Sequence, residues 1–291
     1  MMIDRSGHLI SKSNSQDKLL NLLYGNVIGR ALLRPLISPA VSKLAGKFLS
    51  SGLSRILIRP FIRKNHIDMS QFESVRYRSY NEFFSRKIRP EMRPIDMNPC
   101  HLIAPCDSKL TVLDITPHCT FRLKNTDYSL RDLLKDPELA EKYAGGYGLV
   151  FRLTVDDYHR YCYVCDGEKS ENVLIPGVLH TVNPLANDHY PIYKENSREY
   201  SILHSKLFGD ILMMEVGALL VGKIVNHHGN DTVSRGQEKG YFQFGGSTVV
   251  LLFQPQKITV DDDIIHNSLS HTETIVRMGE KIGSVVSIAA E

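Results

Sequence analysis

Past residue 96 the chain is built from short apolar runs. "SKLTVLDI", "GLVFRLTV", "HRYCYVCDG", "NVLIPGVLHTV", "SILHSKL", "DILMMEVGALLVGKIV", "STVVLLF" and "KITV" are rich in Val, Ile, Leu and Tyr and are closed off by Gly, Pro, Asn or Asp. Such runs read as strands. They commit most of the chain to sheet and leave room for one evident helical interlude, "YSLRDLLKDPELAEKYAGG", with Ser129 as its N-cap and Gly145-Gly146 at its end. The closing "VRMGEKIGSVV" places a Gly-bounded turn between two further strands. With 291 residues, the chain can bury a substantial core as one large domain or two modest ones. No internal repeat or low-complexity tract is present.

The N-terminal part has a different character. From Lys18 to Lys64 there are nine Lys and Arg residues and no Asp or Glu, so the rest of the chain carries an acidic excess beneath a net charge of +3. Leu19, Leu20, Leu22, Leu23, Val27 and Ile28 recur at helical spacing, as do Leu53, Ile56, Leu57 and Phe61. Basic residues interrupt each run before it reaches the ~18 apolar residues of a spanning helix. Pro35, Pro39 and Pro60 divide it into short pieces. Helices packed on a core usually carry mixed charge. A purely cationic amphipathic set fits an anionic bilayer surface better. The expected architecture is therefore α+β, with a basic helical membrane-associating part over residues 1–75 and a β-rich catalytic body over residues 76–291. Nucleic acid is not expected as a partner, because the basic segment is too apolar and lacks a base-reading surface. Five cysteines in no disulfide-scaffold spacing, and no signal-peptide pattern, point to reduced thiols in a cytosolic setting.

The stretch "FQFGGSTVVLLF" carries the clearest chemistry. A strand this apolar has no packing need for Gly245-Gly246-Ser247-Thr248 at its mouth. The glycines leave the Gly246 carbonyl sterically open beside the Ser247 hydroxyl. That is the arrangement for attack by a hydroxyl on its own preceding peptide bond. A lipase-type elbow would need glycine two residues after the serine, where Val249 stands.

Other residues could serve either chemistry or structure. His159, in "TVDDYHRYCYVCDG", is a strand histidine within a cluster of polar groups. Cys162 and Cys165 form a lone CxxC on a strand, where positions i and i+3 face opposite sides. That argues against zinc, even with His227-His228 available, and no metal is expected. Asp107, in "IAPCDSKL", reads by itself as a turn aspartate. His180, in "VLHTVNP", is a core histidine or a base oriented by a carboxylate. Glu215 interrupts an apolar strand and needs a cationic or hydrogen-bonding partner.

Together these segments resemble the phosphatidylserine decarboxylases, pyruvoyl-dependent enzymes that make phosphatidylethanolamine. The resemblance runs from about Asn81 to the C-terminus. It rests on "FFSRKIRPEMRPI", "APCDSKL", "DYHRY", "HTVNP", "NSREYSIL", "MEVGALLVGKI", "KGYFQFGGSTVVLLF" and "MGEKIG", in the family's order. It implies that Ser247 attacks the Gly246 carbonyl to give an ester, which leaves by β-elimination. Hydrolysis then turns Ser247 into a covalent pyruvoyl cofactor, splitting the chain into 1–246 and 247–291. The ketone would form a Schiff base with the lipid serine amine and take up the electrons left by CO2. The resemblance assigns proton donation to His159 and matches Asp107 to the family's Pro-x-Asp motif. Cys162 stands where well-known members carry a second histidine, so His180 is the candidate replacement base, in an Asp107–His180–Ser247 relay. The expected partners are phosphatidylserine, an anionic membrane surface at its cytoplasmic face and the two chains of the cut protein, with room for a homodimer. The alternatives are a pyruvoyl decarboxylase of a soluble amino acid and an inactive lipid-binding homologue.

Overall fold

The computed structural model describes residues 1–10, 39–123, 126–181, 192–218, 223–243 and 247–286. The expectations that fall on residues 11–38, on Asn183-Pro184 and on Gly245-Gly246 lie outside them.

The fold is β-rich and mixed, organised by one large sheet of eleven strands. The strand Ser247–Phe253 lies near its middle, antiparallel to Gly209–Val216 on one side and to Tyr147–Leu153 on the other. Its apolar composition follows from that position. All seven residues are buried, because both faces of the sheet are covered. Val249, Leu251 and Phe253 face one core, with Phe151, Leu153, Tyr161 and Phe242. Val250 and Leu252 face a second core, with Leu130, Leu133, Tyr143 and Met214. Each fully buried side chain of this type stabilises the fold by roughly 1.5–3 kcal/mol.

The helical interlude is split. Helices cover Leu130–Leu134 and Pro137–Glu141, and between them Lys135 takes a left-handed conformation. Pro137 disfavours helical backbone at Asp136. Asp136 instead caps the second helix by accepting from the Leu139 N–H at 3.0 Å. Ser129 holds the N-cap position of the first helix without a side-chain capping bond. Gly145 has φ +75°, and a Cβ at Gly146 would lie 1.9 Å from the Phe253 carbonyl oxygen, so glycine is required where this segment turns into the sheet.

Two smaller features position the site. A three-stranded sheet, Ile224–Asn226, Glu238–Phe242 and Arg160–Cys162, contributes Tyr161, Cys162 and Phe242 to the first core. Helical segments at Pro39–Leu49, Gly52–Leu57 and Ile58–Asn65 contribute Leu49, Ile58, Phe61 and Ile62 to a cluster with Tyr80, Phe83 and Phe84 of the helix Tyr80–Phe84. The chain's first residues do not belong with those helices. Met2–Ile3 pairs with Glu273–Val276 at the edge of the large sheet, and Arg5 bonds Asp261 and Asp263. Among the described residues, no helix is long and apolar enough to cross a membrane.

Candidate active site

Ser247 opens the central strand, opposite Leu153 in register. By strand alternation it shares a face with Val249 and Leu251, toward the three-stranded sheet. The connection from Leu153 back to that sheet is a tight turn. Thr154 N–H donates to Asp157 Oδ2 at 2.6 Å, and the buried Lys109 ammonium donates to Asp157 and to Thr154 Oγ1. The turn delivers His159 directly onto Ser247, whose Oγ lies 3.3 Å from His159 Nδ1. Both side chains are fully buried.

The partners fix the state of this imidazole. His159 Nε2 lies 3.0 Å from the Thr154 carbonyl oxygen. A carbonyl only accepts, so Nε2 carries the proton and Nδ1 offers its lone pair to the Ser247 hydroxyl. Burial pushes the His159 pKa down to about 3, and the charge of nearby Arg86 pushes in the same direction. The ring is therefore a neutral base at physiological pH. The Phe84 ring packs against it at 4.1 Å between centroids. The Arg160 guanidinium reaches back to the Ser85 carbonyl at 2.8 Å, and the His159 carbonyl accepts from Phe242 N–H at 2.9 Å. The backbone on both sides of the histidine is thus tied down.

The other expected residues are placed differently. Asp107 accepts from Arg93 Nε at 2.8 Å and from the Met278 N–H at 2.9 Å, so its carboxylate is committed to a guanidinium and not to a histidine. Cys162 lies beside the same turn, with its N–H donating to the Pro105 carbonyl at 2.9 Å. Burial pushes the Cys162 thiol up to about 12, which removes it as a base. His180 is buried. Its backbone N–H donates to Asn196 Oδ1 at 2.9 Å, and its Nε2 lies 3.5 Å from Glu195 Oε2. Of the two histidines, His159 is the one hydrogen-bonded to Ser247. Glu215 has the cationic partner its position calls for: Lys239 Nζ donates to Oε2 at 2.7 Å, with both side chains fully buried.

Three contributors were not singled out in the sequence: Arg93, Arg86 and the Lys109–Asp157 pair. Lys109 and Asp157 stand 48 residues apart. Arg93 and Arg86 lie inside a quoted motif, but nothing in the sequence indicates that one would be paired and the other buried. Among the described residues, no group of three His, Cys, Asp or Glu side chains could hold a metal ion.

Taken as chemistry, the site is a serine hydroxyl and a neutral imidazole enclosed at the head of a buried strand, immediately after two glycines. Comparisons with known proteins place the chain in a family. A sequence model of the family described as phosphatidylserine decarboxylase matches residues 80–284. The phosphatidylserine decarboxylase proenzyme 2 of Clostridium acetobutylicum is 46% identical over 265 residues, which is 91% of each chain. The phosphatidylserine decarboxylase proenzyme of Clostridium novyi is 47% identical over 72% of each chain. That of Clostridium tetani is 40% identical over 92% of each. The match takes in the Ser247–His159 pair and nearly the whole β body around it. This chain belongs to the phosphatidylserine decarboxylase family.

Proposed function

We propose that this chain is a phosphatidylserine decarboxylase that matures by cutting itself between Gly246 and Ser247. The observation that carries the reading is the hydrogen bond from Ser247 Oγ to His159 Nδ1 in a fully buried setting. His159 Nδ1 takes the hydroxyl proton as Oγ attacks the Gly246 carbonyl carbon. The peptide C–N bond breaks, its nitrogen is protonated, and an ester remains. Loss of the Ser247 α-proton then expels Gly246 as a carboxylate. Water replaces the enamine nitrogen as ammonia, leaving a pyruvoyl group at the head of residues 247–291.

The surroundings fit such a group. They are enclosed, and the adjacent imidazole is neutral, so an electrophilic ketone would be shielded from bulk water. That group supplies a carbonyl for the substrate amine and a sink for the electron pair left when CO2 departs. The chain's own residues orient the head group and return a proton. His159 is the imidazole in place for that delivery, and because its Nδ1 rests unprotonated it passes on a proton that water brings to it, so it serves both stages. An Asp107–His180–Ser247 relay would require Asp107 to leave Arg93, and the hydrogen bonds favour His159 as the base. The test is CO2 release from carboxyl-labelled phosphatidylserine by the purified protein. A Ser247→Ala variant should remain uncut and inactive. Release from a free amino acid, with the lipid untouched, would favour the soluble-substrate alternative.

The N-terminal helices support a lipid substrate. Leu44, Phe48, Leu53 and Ile56 are exposed, with Leu53 and Ile56 at 74% and 75%. Lys47, Arg55, Arg59, Arg63 and Lys64 share those segments, and the segments have no acidic residue. These helices pack on Tyr80, Phe83 and Phe84, and Phe84 touches His159. A surface that enters an anionic leaflet would bring lipid to the catalytic side of the protein, as a peripheral attachment at the cytoplasmic face. The protein should float with phosphatidylserine-containing vesicles and release them at high salt. A Leu53→Glu, Ile56→Glu variant that floats equally well would contradict this placement.

A further inference from the structure

Arg86 is 2% exposed. Its guanidinium lies 4.2 Å from the Phe72 ring centroid and 4.9 Å from that of Phe83. Nη1 donates to the Phe83 carbonyl at 3.4 Å. Nε and Nη2 have no hydrogen-bond partner among the described residues. These two nitrogens form one edge of the guanidinium, the edge that takes two oxygens side by side. The chain uses that edge twice elsewhere. Arg93 Nε and Nη2 hold Asp107, and Arg152 Nε and Nη2 hold Glu273. At Arg86 no carboxylate among the described residues fills it. A buried cation without an anion is costly, and arginine does not escape the cost by losing its proton.

Its location gives that edge a use. Arg86 follows Ser85, whose carbonyl is bonded by Arg160, and Phe84, whose ring packs on His159. Its charge reaches His159. Ser247 and His159 are as enclosed as Arg86. Arg86 stands two residues after Phe84, whose ring touches His159, and His159 touches Ser247, so a head group that reaches Ser247 comes close to this neighbourhood.

We propose that the Nε–Nη2 edge of Arg86 receives the phosphodiester of the phospholipid head group. The proposal rests on the decarboxylase reading above. The head group carries two anions, and the chemistry distinguishes them. The carboxylate loses its charge as CO2 leaves, so a cation gripping it would hold the substrate more tightly than the transition state and slow the reaction. The phosphodiester keeps its charge in substrate, transition state and product. A fork on the phosphate binds all three equally and appears in KM, not in kcat.

The test uses the processed enzyme and its Arg86→Lys and Arg86→Met variants, with self-cleavage checked by intact mass. Methionine keeps apolar volume against Phe72 and Phe83, and lysine keeps the charge without the fork. The substrate is short-chain phosphatidylserine, and the competing inhibitor is short-chain phosphatidylethanolamine, which has the phosphate and lacks the carboxylate. Charge-assisted hydrogen bonds of this kind correspond to roughly a 10- to 150-fold effect on binding. Both variants should raise KM by about that factor with kcat nearly unchanged, and inhibition by phosphatidylethanolamine should weaken in parallel. Unchanged KM and unchanged inhibition in a folded, self-cleaved variant would reduce Arg86 to a packing residue. A raised KM with inhibition by phosphatidylethanolamine unchanged would place the carboxylate on the fork and overturn the proposal. If Arg86→Met fails to fold, Arg86→Lys decides by the same two readouts. Turnover of the same lipid by the unmodified enzyme, measured alongside, separates failure of the decarboxylase reading from failure of the Arg86 assignment.

Discussion

Replacing His159 by Gln isolates the base from the scaffold. The glutamine amide N–H can still donate to the Thr154 carbonyl, which now accepts from His159 Nε2 at 3.0 Å. No nitrogen able to accept the Ser247 proton remains. A positioned general base contributes about 10²- to 10⁴-fold, which is about 2.7–5.5 kcal/mol on the barrier. Self-cleavage of His159→Gln should slow by that factor. The assay is the fraction of cut chain against time after synthesis in a cell-free system, resolved by denaturing gel. The His159 pKa, pushed down to about 3, adds a second expectation. Cleavage of the unmodified chain should not vary with pH between about 5.5 and 8, whereas a solvent-exposed histidine base would titrate in that range. A His180→Gln variant should cut at nearly the normal rate. If His159→Gln cuts normally and His180→Gln does not, the assignment of the base is refuted and the Asp107–His180–Ser247 relay is restored.

Three further outcomes follow from the packing. His159 and His180 are held neutral by burial, with pKa values pushed down to about 3 and about 4. As pH falls below about 6.5, the unfolded chain takes up protons that the folded chain refuses, so the pair should cost about 3 kcal/mol of stability between pH 6.5 and 5; a urea midpoint that does not move over that range would contradict their burial. Lys239→Met would leave Glu215 without its cation in a fully buried position, with Asn226 Nδ2 as a remaining donor, at a cost of about 3–5 kcal/mol by denaturant titration, and a loss under 1 kcal/mol would contradict the burial of this ion pair. Cys100 is the exposed thiol, while Cys106, Cys119, Cys162 and Cys165 are buried, so a thiol reagent should titrate one cysteine rapidly in the native protein and the other four after unfolding.

The sequence exposed the parts of this molecule whose causes are local. The strand Ser247–Phe253 was legible because a run with both faces buried has to be apolar throughout. The Gly-Gly-Ser-Thr entrance stands out because an apolar run does not call for it. The need of Glu215 for a partner was legible from its apolar neighbours, but the identity of Lys239 was not, because the pair joins two different sheets. The same limit applies to the site. His159 and Ser247 are 88 residues apart and meet through the stacking of a small sheet on a large one. Asp107 reads by itself as a turn aspartate, the family resemblance pairs it with a histidine, and the fold gives it Arg93. The interlude after Ser129 shows local signals in competition. Its apolar spacing suits one helix, but Asp136-Pro137 favours stopping and starting again, and the chain does so.

The central claim is that Ser247 becomes the cofactor. Intact mass of the purified protein under denaturing conditions tests it most directly. The account predicts two chains, residues 1–246 and 247–291, with the smaller one lighter by one ammonia than a peptide beginning with serine. A single uncut chain that stays uncut on incubation with anionic vesicles, or a small chain that still begins with serine, would contradict it.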